Sequence, residues 1–371
     1  MKFIIKQEIL LENLYHASRA ISSKTISQIL TGIKFDLNGE GLFLSASDND
    51  ISIRCLIPTE HIIRVDNYGS IVVDGKYIVE IIKKLPSADI TIEVMDGQIM
   101  IVSTIDDEFT LNGINPNEFP NLDLEETKEP IVLKTNLIKK IISQTFFATS
   151  KNETRPILTG INFKIDGNVM EVIATDSYRL AKKTIELDKS LEEGINIVIP
   201  GKNLLEFDKI IDEDNESLEL HIFTNKILFK YKNILFLSKL LNGTYPATSS
   251  IIPSEFAVLV KCNCNELFDK IDRASLLTSD RDKNTIKLEL SQQRLVISSN
   301  SPEIGKVEGK MNVDSQDEIS ISFSSKYMLD SIRSFRTENI MLYMNNDSSP
   351  IIIKSDEDES LVQLVLPIKT Y

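Results

Sequence analysis

Apolar residues recur at helical spacing in six segments of the chain, and strand-like runs fill much of the sequence between them. In the first of these segments, Leu10, Leu14 and Ala17 fall on one face of a helix. A stripe of this kind predicts a helix that covers a core with one side. The predicted helices span residues 7–21, 75–85, 136–149, 201–211, 265–277 and 325–335.

Alternating or continuous apolar runs of four to eight residues predict strands. The pair Asp96 and Gly97 between two such runs is typical of a hairpin turn. No helix lies between two strands as regularly as a parallel β/α fold requires, so we expect an α+β fold with antiparallel sheets covering one side of a helix pair. Strands are predicted at residues 2–6, 32–37, 41–47, 51–57, 70–73, 90–93, 98–102, 109–111, 160–173, 218–222, 227–231, 286–290, 294–298, 340–344, 350–354 and 361–366.

The chain repeats itself over the length of a domain. Residues 29–35 read ILTGIKF, and residues 157–163, an offset of 128, read ILTGINF. Nine of the 20 positions from Ile29 to Asp48 are identical to their partners, where chance gives about one. A fainter third copy begins at Ile286, an offset of 253 from Ile33. We therefore expect one domain written three times, at residues 1–124, 125–253 and 254–371, each with two helices and about eight strands.

Composition places the chain among water-soluble globular proteins. Of its 371 residues, 42% are hydrophobic and 26% are charged. No apolar run approaches the roughly 18 residues needed to cross a bilayer, and the first residues turn polar too soon for a signal peptide. We expect a cytoplasmic protein without membrane contact. The three cysteines, Cys55, Cys262 and Cys264, lack the partners of a zinc signature and are expected to be reduced thiols.

The distribution of charge matters more than the total. The net charge is −14, which by itself argues against binding a polyanion. The six predicted helices with their following turns, however, sum to +6, which leaves −20 on the rest of the chain. If the sheets lie outside and the helices inside, this separation makes a basic interior within an acidic shell. Such an arrangement is expected of a protein that encloses a polyanion without reading its sequence.

The sequence lacks the usual signatures of catalysis. It contains no phosphate-binding glycine-rich loop, no zinc-protease motif and no nucleophile elbow. His16, His61 and His221 are far apart and are expected to be ordinary surface or half-buried side chains. The acidic clusters at 212–216 and 356–360 are expected to be solvated turns. We therefore predict neither a metal nor a cofactor, and no catalytic residue.

Two alternatives stay open at this level. Asp176, Ser177 and Tyr178 cluster just after a predicted strand, and an enzyme with a site around Asp176 and Tyr178 is the first alternative. A protein-only scaffold of repeated domains that never touches nucleic acid is the second.

Five motifs, in order along the chain, resemble the family of bacterial DNA polymerase III beta subunits, the sliding clamps. They are ETRPILTG at 153–160, ATDSYRLA at 174–181, LNGTYP at 241–246, NSPEIG at 300–305 and VQLVLPIKTY at 362–371. The resemblance covers the full chain and implies a non-catalytic processivity factor. In that family two protomers close head to tail into a ring of six domains, with helices lining a hole that double-stranded DNA passes through.

The resemblance also implies where partners dock. Short peptides of the DNA polymerase III alpha subunit, the clamp loader and other proteins with a clamp-binding motif would enter a pocket beside the C-terminus. Tyr178 stands where the family often has His, and Lys369 where Arg is frequent. The residues implied to form this pocket are Leu158, Thr175, Tyr178, Arg179, Leu180, Pro246, Ile251, Leu364, Leu366, Pro367 and Ile368.

DNA-facing and interface positions follow in the same way. Phe109, Leu276 and Leu277 fall at the family's dimer interface, with the acidic segment 106–108 close by. The bases of the helices and their turns are implied to face DNA without sequence preference. These are Lys24, Lys83, Lys84, Lys139, Lys140, Lys151, Arg155, Arg333 and Arg336.

Overall fold

The computed structural model describes residues 1–21, 27–96, 98–127, 129–248 and 250–369. In the first third of the chain, a strand and a helix precede several strands, and a second helix is followed by more strands. The elements are β1 (Lys2–Lys6), α1 (Gln7–Ser18), β2 (Gly32–Asn38), β3 (Gly41–Ser47), β4 (Ile51–Pro58), β5 (Ile62–Asn67), β6 (Gly69–Asp74), α2 (Gly75–Lys84), β7 (Asp89–Met95), β8 (Ile99–Ser103) and β9 (Glu108–Ile114).

The other two thirds repeat this order. The middle third contains β10 (Ile131–Lys134), α3 (Thr135–Thr145), β11 (Gly160–Asp166), β12 (Val169–Thr175), β13 (Arg179–Glu186), β14 (Ile195–Pro200), α4 (Gly201–Asp208), β15 (Ser217–Ile222), β16 (Lys226–Tyr231) and β17 (Ile234–Lys239). The last third contains β18 (Val258–Asn263), α5 (Cys264–Ser275), β19 (Thr285–Ser291), β20 (Arg294–Ser301), β21 (Gly305–Asn312), β22 (Ile319–Ser324), α6 (Ser325–Arg333), β23 (Asn339–Met344), β24 (Ile351–Lys354) and β25 (Leu361–Val365).

All six predicted helices are present, and the predicted α+β class is confirmed. The ends of two helices are set by side chains that bind free backbone N–H groups. Asp74 accepts hydrogen bonds from the N–H groups of Lys76 (3.0 Å) and Tyr77 (3.2 Å) at the start of α2. Asn263 caps α5 in the same way. Capping of this kind typically contributes about 1 kcal/mol per helix.

The strands form antiparallel sheets. The chain divides into two compact units, and each sheet lies within one of them. One unit comprises Met1–Ile138 and Asn203–Leu240, and it contains a sheet of 13 strands. In that sheet β4 pairs with β17, so that Cys55 lies opposite Ile234. Strands of the first and middle repeats thus share one sheet, and the contacts divide the chain by sheets rather than by repeats.

The second unit comprises residues 139–202 and those from 241 onwards, and it contains sheets of eight and four strands. The eight-stranded sheet joins the middle and last repeats because β13 pairs with β25, which places Leu180 opposite Leu364. In the four-stranded sheet β21 is an edge strand.

Helix pairs and sheets enclose apolar cores within each unit. In the first unit Leu10 and Leu14 of α1 are fully buried, as are Phe3 and Phe35 on the strands. Each such side chain contributes about 2 kcal/mol through removal of apolar surface from water. In the second unit α5 and α6 pack on the strands of the last repeat around Leu267 and other buried residues.

The cysteines and the question of a membrane span can be settled for the described residues. Cys55, Cys262 and Cys264 are free and buried. Burial raises the pKa of the Cys262 thiol to about 12, so it stays a protonated and weakly reactive thiol at neutral pH. No helix in the described part of the chain is long and apolar enough to span a membrane.

Candidate functional site

The pairing of β13 with β25 builds an apolar cluster in the second unit. Leu158, Leu180 and Leu364 are nearly fully buried in one apolar cluster. Beyond β25, the N–H of Leu366 donates to the carbonyl of Tyr178 at 2.9 Å, and the N–H of Ile368 donates to the carbonyl of Ser322 at 2.7 Å. These bonds hold the C-terminal segment 366–369 between the turn before β13 and strand β22.

A cavity of about 550 Å³ lies next to this cluster, and Leu366, which packs against the cluster, is part of its lining. Four of the pocket residues implied by the sequence line it, namely Tyr178, Leu366, Pro367 and Ile368. Its other lining residues are Lys283, Asn284, Ser324, Lys326, Tyr327 and Lys369. Sequence reasoning missed most of this second wall, because it comes from a loop and a helix start in the last repeat that carry no motif.

The remaining implied pocket residues have different environments. Leu158, Thr175, Leu180 and Leu364 are buried beneath the surface, whereas Pro246 and Ile251 are exposed. None of these six residues is part of the cavity lining. Tyr178, by contrast, lines the cavity and has 61% of its surface exposed.

The turn from Thr175 to Arg179 is fixed by its own polar groups. Thr175 Oγ1 donates to the carbonyl of Arg179 at 2.6 Å, and Asp176 Oδ1 accepts from the N–H groups of Tyr178 (2.9 Å) and Arg179 (3.0 Å). Ser177 has a left-handed backbone conformation with φ of 77°. The turn therefore holds Tyr178 outward, where its ring stacks on Tyr327 with centroids 6.2 Å apart.

Arg179 supports the turn from the interior of the protein, and its positive charge is paired with carboxylates. Only 5% of the residue is exposed. Its guanidinium pairs with Asp176 at 3.1 Å and with Asp330 of α6 at 2.7 Å. The same group lies over the rings of Tyr327 and Phe147, at 4.6 and 5.3 Å from their centroids. Asp176 is thus occupied by an arginine and by backbone N–H groups, which is the environment of a structural carboxylate.

Most of the implied DNA-facing bases are exposed, although their charges are not equivalent. Lys24 lies outside the described residues. Lys139 is half-buried. Lys140 is exposed but pairs with Asp358 at 3.0 Å, which offsets its charge. Lys83 is 3.8 Å from Glu80. The other exposed bases of this group are Lys84, Lys151, Arg155, Arg333 and Arg336.

The acidic cluster at 356–360 is more than a solvated turn, which corrects the sequence-based expectation. Asp358 is half-buried and also pairs with the buried Lys183 at 2.9 Å. Burial alone would raise the pKa of Asp358, but hydrogen bonds from Ser360, Lys183 and Lys140 hold it well below its usual range. Asp358 thus neutralises a buried lysine, a structural role that no local sequence pattern indicates.

Two of the three implied interface residues are exposed, one on β9 and one beside the end of α5. Phe109 of β9 is 37% exposed, and Leu276 beside the end of α5 is 76% exposed, whereas Leu277 is half-buried. Strand β9 pairs with β8 along its length, but its pairing with β6 reaches only Gly113 and Ile114. An exposed apolar residue beside an open edge is a typical site for association with another chain.

One cluster of possible metal ligands lies in the first unit. Ligand atoms of Glu126, Glu219 and His221 are within 4.8 Å of one another. The ammonium of Lys230 is 2.6 Å from Glu126 and 3.8 Å from Glu219, so a cation of the chain already occupies this place. His221 is 1% exposed and its Nδ1 accepts from the N–H of Thr127 at 2.9 Å. The expectation of a surface or half-buried histidine was therefore wrong for His221.

Known proteins and family profiles match the chain over its whole length. Three family profiles of the DNA polymerase III beta subunit fit it in order: the N-terminal domain at residues 1–123, the central domain at 132–247 and the C-terminal domain at 249–369. The beta sliding clamp of Bacillus subtilis is 41% identical and that of Staphylococcus aureus 37%, and each comparison covers 100% of both chains.

Solved structures give the same result. The crystal structure of the DNA polymerase sliding clamp from Bacillus subtilis superposes with a TM-score of 0.97 at 41% identity over 100% of both chains. The beta subunit from DNA polymerase of Streptococcus pyogenes gives a TM-score of 0.95 at 31% identity, again over 100% of both chains.

Proposed function

The chain belongs to the DNA polymerase III beta subunit family, the beta sliding clamps, and from this premise we propose which of its surfaces hold DNA, partner proteins and a second copy of the chain. A sliding clamp is a processivity factor that encircles duplex DNA and tethers the replicative polymerase, and it is not itself a catalyst. The observation that carries this function is the threefold repeat, because each copy is matched by one of the three domain profiles of the family.

The repeats define the proposed domains, at residues 1–124, 125–253 and 254–371. In a head-to-tail dimer, two chains supply six such domains to one ring. A head-to-tail contact that closes after two protomers leaves no free interface. The protein would work in the cytoplasm, where bacterial DNA is replicated.

Ring closure is proposed to join the free edge of β9 to the edge strand β21 of a second copy. Phe109 and Leu276 supply exposed apolar surface for this contact, with Leu277 beside them. The acidic segment 106–108 would face an edge that carries Lys306 and Lys310, which both pair with Glu308 between them and leave the edge with a net charge of +1. Opposite charges on two edges favour the head-to-tail register and disfavour pairing of like edges.

DNA is proposed to contact the exposed bases on the helices and in the turns that follow them. Lysine and arginine bind phosphates through charge and counterion release, which carries no sequence information. Contacts of this kind permit sliding because every position on the duplex is equivalent. Lys140 is expected to contribute less than Lys84 or Arg333, because Asp358 already pairs with it.

Partner proteins are proposed to dock at the cavity beside the C-terminal segment. The DNA polymerase III alpha subunit, the clamp loader and other proteins with a clamp-binding motif would each insert a short apolar peptide there. A cavity of about 550 Å³ whose lining includes Leu366, Pro367 and Ile368 offers a seat for two or three such side chains. Since one pocket serves all of them, these partners would compete for it.

A primer-extension assay tests this function. With the clamp loader and DNA polymerase III present, adding the chain is expected to lengthen the products of a single binding event while leaving the rate of each nucleotide addition unchanged. Products of unchanged length would contradict the function. Turnover of a nucleotide or metal-dependent substrate by the chain alone would support the enzyme alternative around Asp176 instead.

A further inference from the structure

Every charged side chain that lines the pocket is a lysine. Lys283, Lys326 and Lys369 stand around a cavity whose other lining residues are apolar, aromatic or neutral. All three are exposed. The chain as a whole has 55 acidic and 41 basic residues, so three bases without an acid is contrary to its average composition. We refer to these three lysines as the basic rim.

The positive charge of the basic rim is not offset, because no carboxylate in the described part of the chain forms an ion pair with its lysines. Other lysines of the same unit do have such partners: Lys182 pairs with Glu171, and Lys183 pairs with Asp358. The two carboxylates that flank the pocket wall, Asp176 and Asp330, both pair with Arg179. Arg179 carries one positive charge and the two carboxylates carry two negative ones, so this group keeps a net charge of −1. Together with the three lysines of the basic rim, these side chains sum to +2.

Backbone geometry fixes one member of the rim in place. Lys283 and Asn284 both have left-handed conformations, with φ of 58° and 52°, which non-glycine residues seldom adopt. The N–H of Asn284 donates to the carbonyl of Ser279, and its carbonyl accepts from the N–H of Ser325, both at 2.8 Å. The loop that carries Lys283 is thus tied to the start of α6, close to Lys326.

We propose that the pocket selects partner peptides that carry acidic side chains next to their apolar anchors. The proposal rests on the proposed docking function and adds the charge of the ligand to it. The apolar and aromatic residues of the lining supply affinity for any peptide of suitable shape, whereas the basic rim discriminates by charge. The rim acts locally, because screening at physiological ionic strength weakens interactions between charges more than about 8 Å apart.

Three labelled peptides test the proposal on the full-length protein. They share two leucines and a phenylalanine as anchors and carry glutamate, glutamine or lysine at the same three flanking positions. Affinity measured by fluorescence anisotropy should fall in that order. The glutamate peptide should bind about tenfold more tightly than the glutamine peptide, since three exposed ion pairs contribute modestly each. The difference should shrink as salt is raised from about 0.05 to 0.3 M.

A pair of triple variants separates the rim from the overall charge. Changing the rim lysines together (Lys283→Gln, Lys326→Gln, Lys369→Gln) should lower glutamate-peptide affinity to the glutamine-peptide level and leave the latter unchanged. The control changes three exposed lysines of the same unit that lie outside the pocket lining and the proposed interface, Lys164, Lys189 and Lys261, to glutamine. It alters the net charge equally and should leave both affinities within about twofold, because distant surface charges are screened.

Three outcomes would overturn the proposal. Equal affinity for the glutamate and glutamine peptides would show that the rim does not discriminate, while the docking pocket itself would stand. Equal losses in the rim and control variants would assign the effect to the long-range field. Failure of all three peptides to bind would refute the pocket, and with it the docking part of the proposed function. Circular dichroism of both variants verifies that they are folded.

Discussion

Replacing Arg179 by alanine should destabilise the second unit and loosen the pocket wall. The change removes a 5% exposed guanidinium and leaves two carboxylates without their partner, Asp176 at 3.1 Å and Asp330 at 2.7 Å. Removing one partner of a buried ion pair costs about 3–5 kcal/mol. The side chain of Asp330 is 29% exposed and can be rehydrated, so we expect a loss near the lower limit, about 3 kcal/mol.

A double-mutant cycle with Asp330→Asn, followed by urea unfolding, measures the pair directly. We expect the two single variants to lose stability and the double variant to lose less than their sum, with a coupling of about 1.5–3 kcal/mol. The coupling should persist in about 0.5 M NaCl, because a buried pair is poorly screened. Tyr327 loses the cation over its ring, so affinity for a pocket peptide should fall as well. A loss of stability below about 1 kcal/mol in the Arg179→Ala variant, or a coupling that vanishes with salt, would refute this reasoning. Either result would show that Arg179 and Asp330 behave as an ordinary surface ion pair.

Three further predictions follow from the ion pairs, the interface and the C-terminal segment. Asp358→Asn should cost about 2–3 kcal/mol at neutral pH by leaving the buried Lys183 unpaired. The folded-state pKa of Asp358 is lowered from 3.8, so the extra stability of the wild type over the variant should be complete above that pH and should be lost as the pH falls below it and Asp358 is protonated. A stability difference independent of pH would count against the pairing. Leu276→Asp should convert dimers to monomers in analytical ultracentrifugation, whereas Leu259→Asp, at another exposed leucine of the same unit, should not; dimers in both variants would exclude Leu276 from the interface. Removing residues 367–371 should abolish polymerase stimulation and leave the dimer intact, and loss of the dimer as well would contradict the pocket assignment.

The helices and the repeat were predictable because both depend on local patterns. Each helix carries an apolar stripe of the correct period, and the match of residues 29–35 with 157–163 fixes the domain order without any three-dimensional information. Several strands were not predicted. Among them β13, β14, β17, β18 and β22 carry buried residues, so exposure explains only part of what was missed. Strand β5 and the edge strand β21 have mostly exposed side chains, so neither shows the alternation that identifies a half-buried strand.

The site was predictable only in part, for a similar reason. Tyr178 and the lining residues Leu366, Pro367 and Ile368 belong to contiguous motifs. Lys283 and Lys326, by contrast, reach the pocket from separate segments of the last repeat, and only the folded chain brings them beside residues 366–369. The burial of Asp358 and His221 likewise depends on partners distant in sequence, Lys183 and Thr127. Long-range pairing of this kind leaves no mark on composition or local spacing.

Retention on circular and linear DNA is the most direct test of the clamp function. The chain is assembled by the clamp loader on a nicked plasmid, and the DNA-bound fraction is isolated at high salt before and after a single restriction cut. A ring that holds DNA by enclosing it should stay on the circle and be lost once the plasmid is linear, because it runs off the ends. Equal retention on both forms, or loss from the circle at the same rate, would show that the chain binds DNA by contact and does not encircle it.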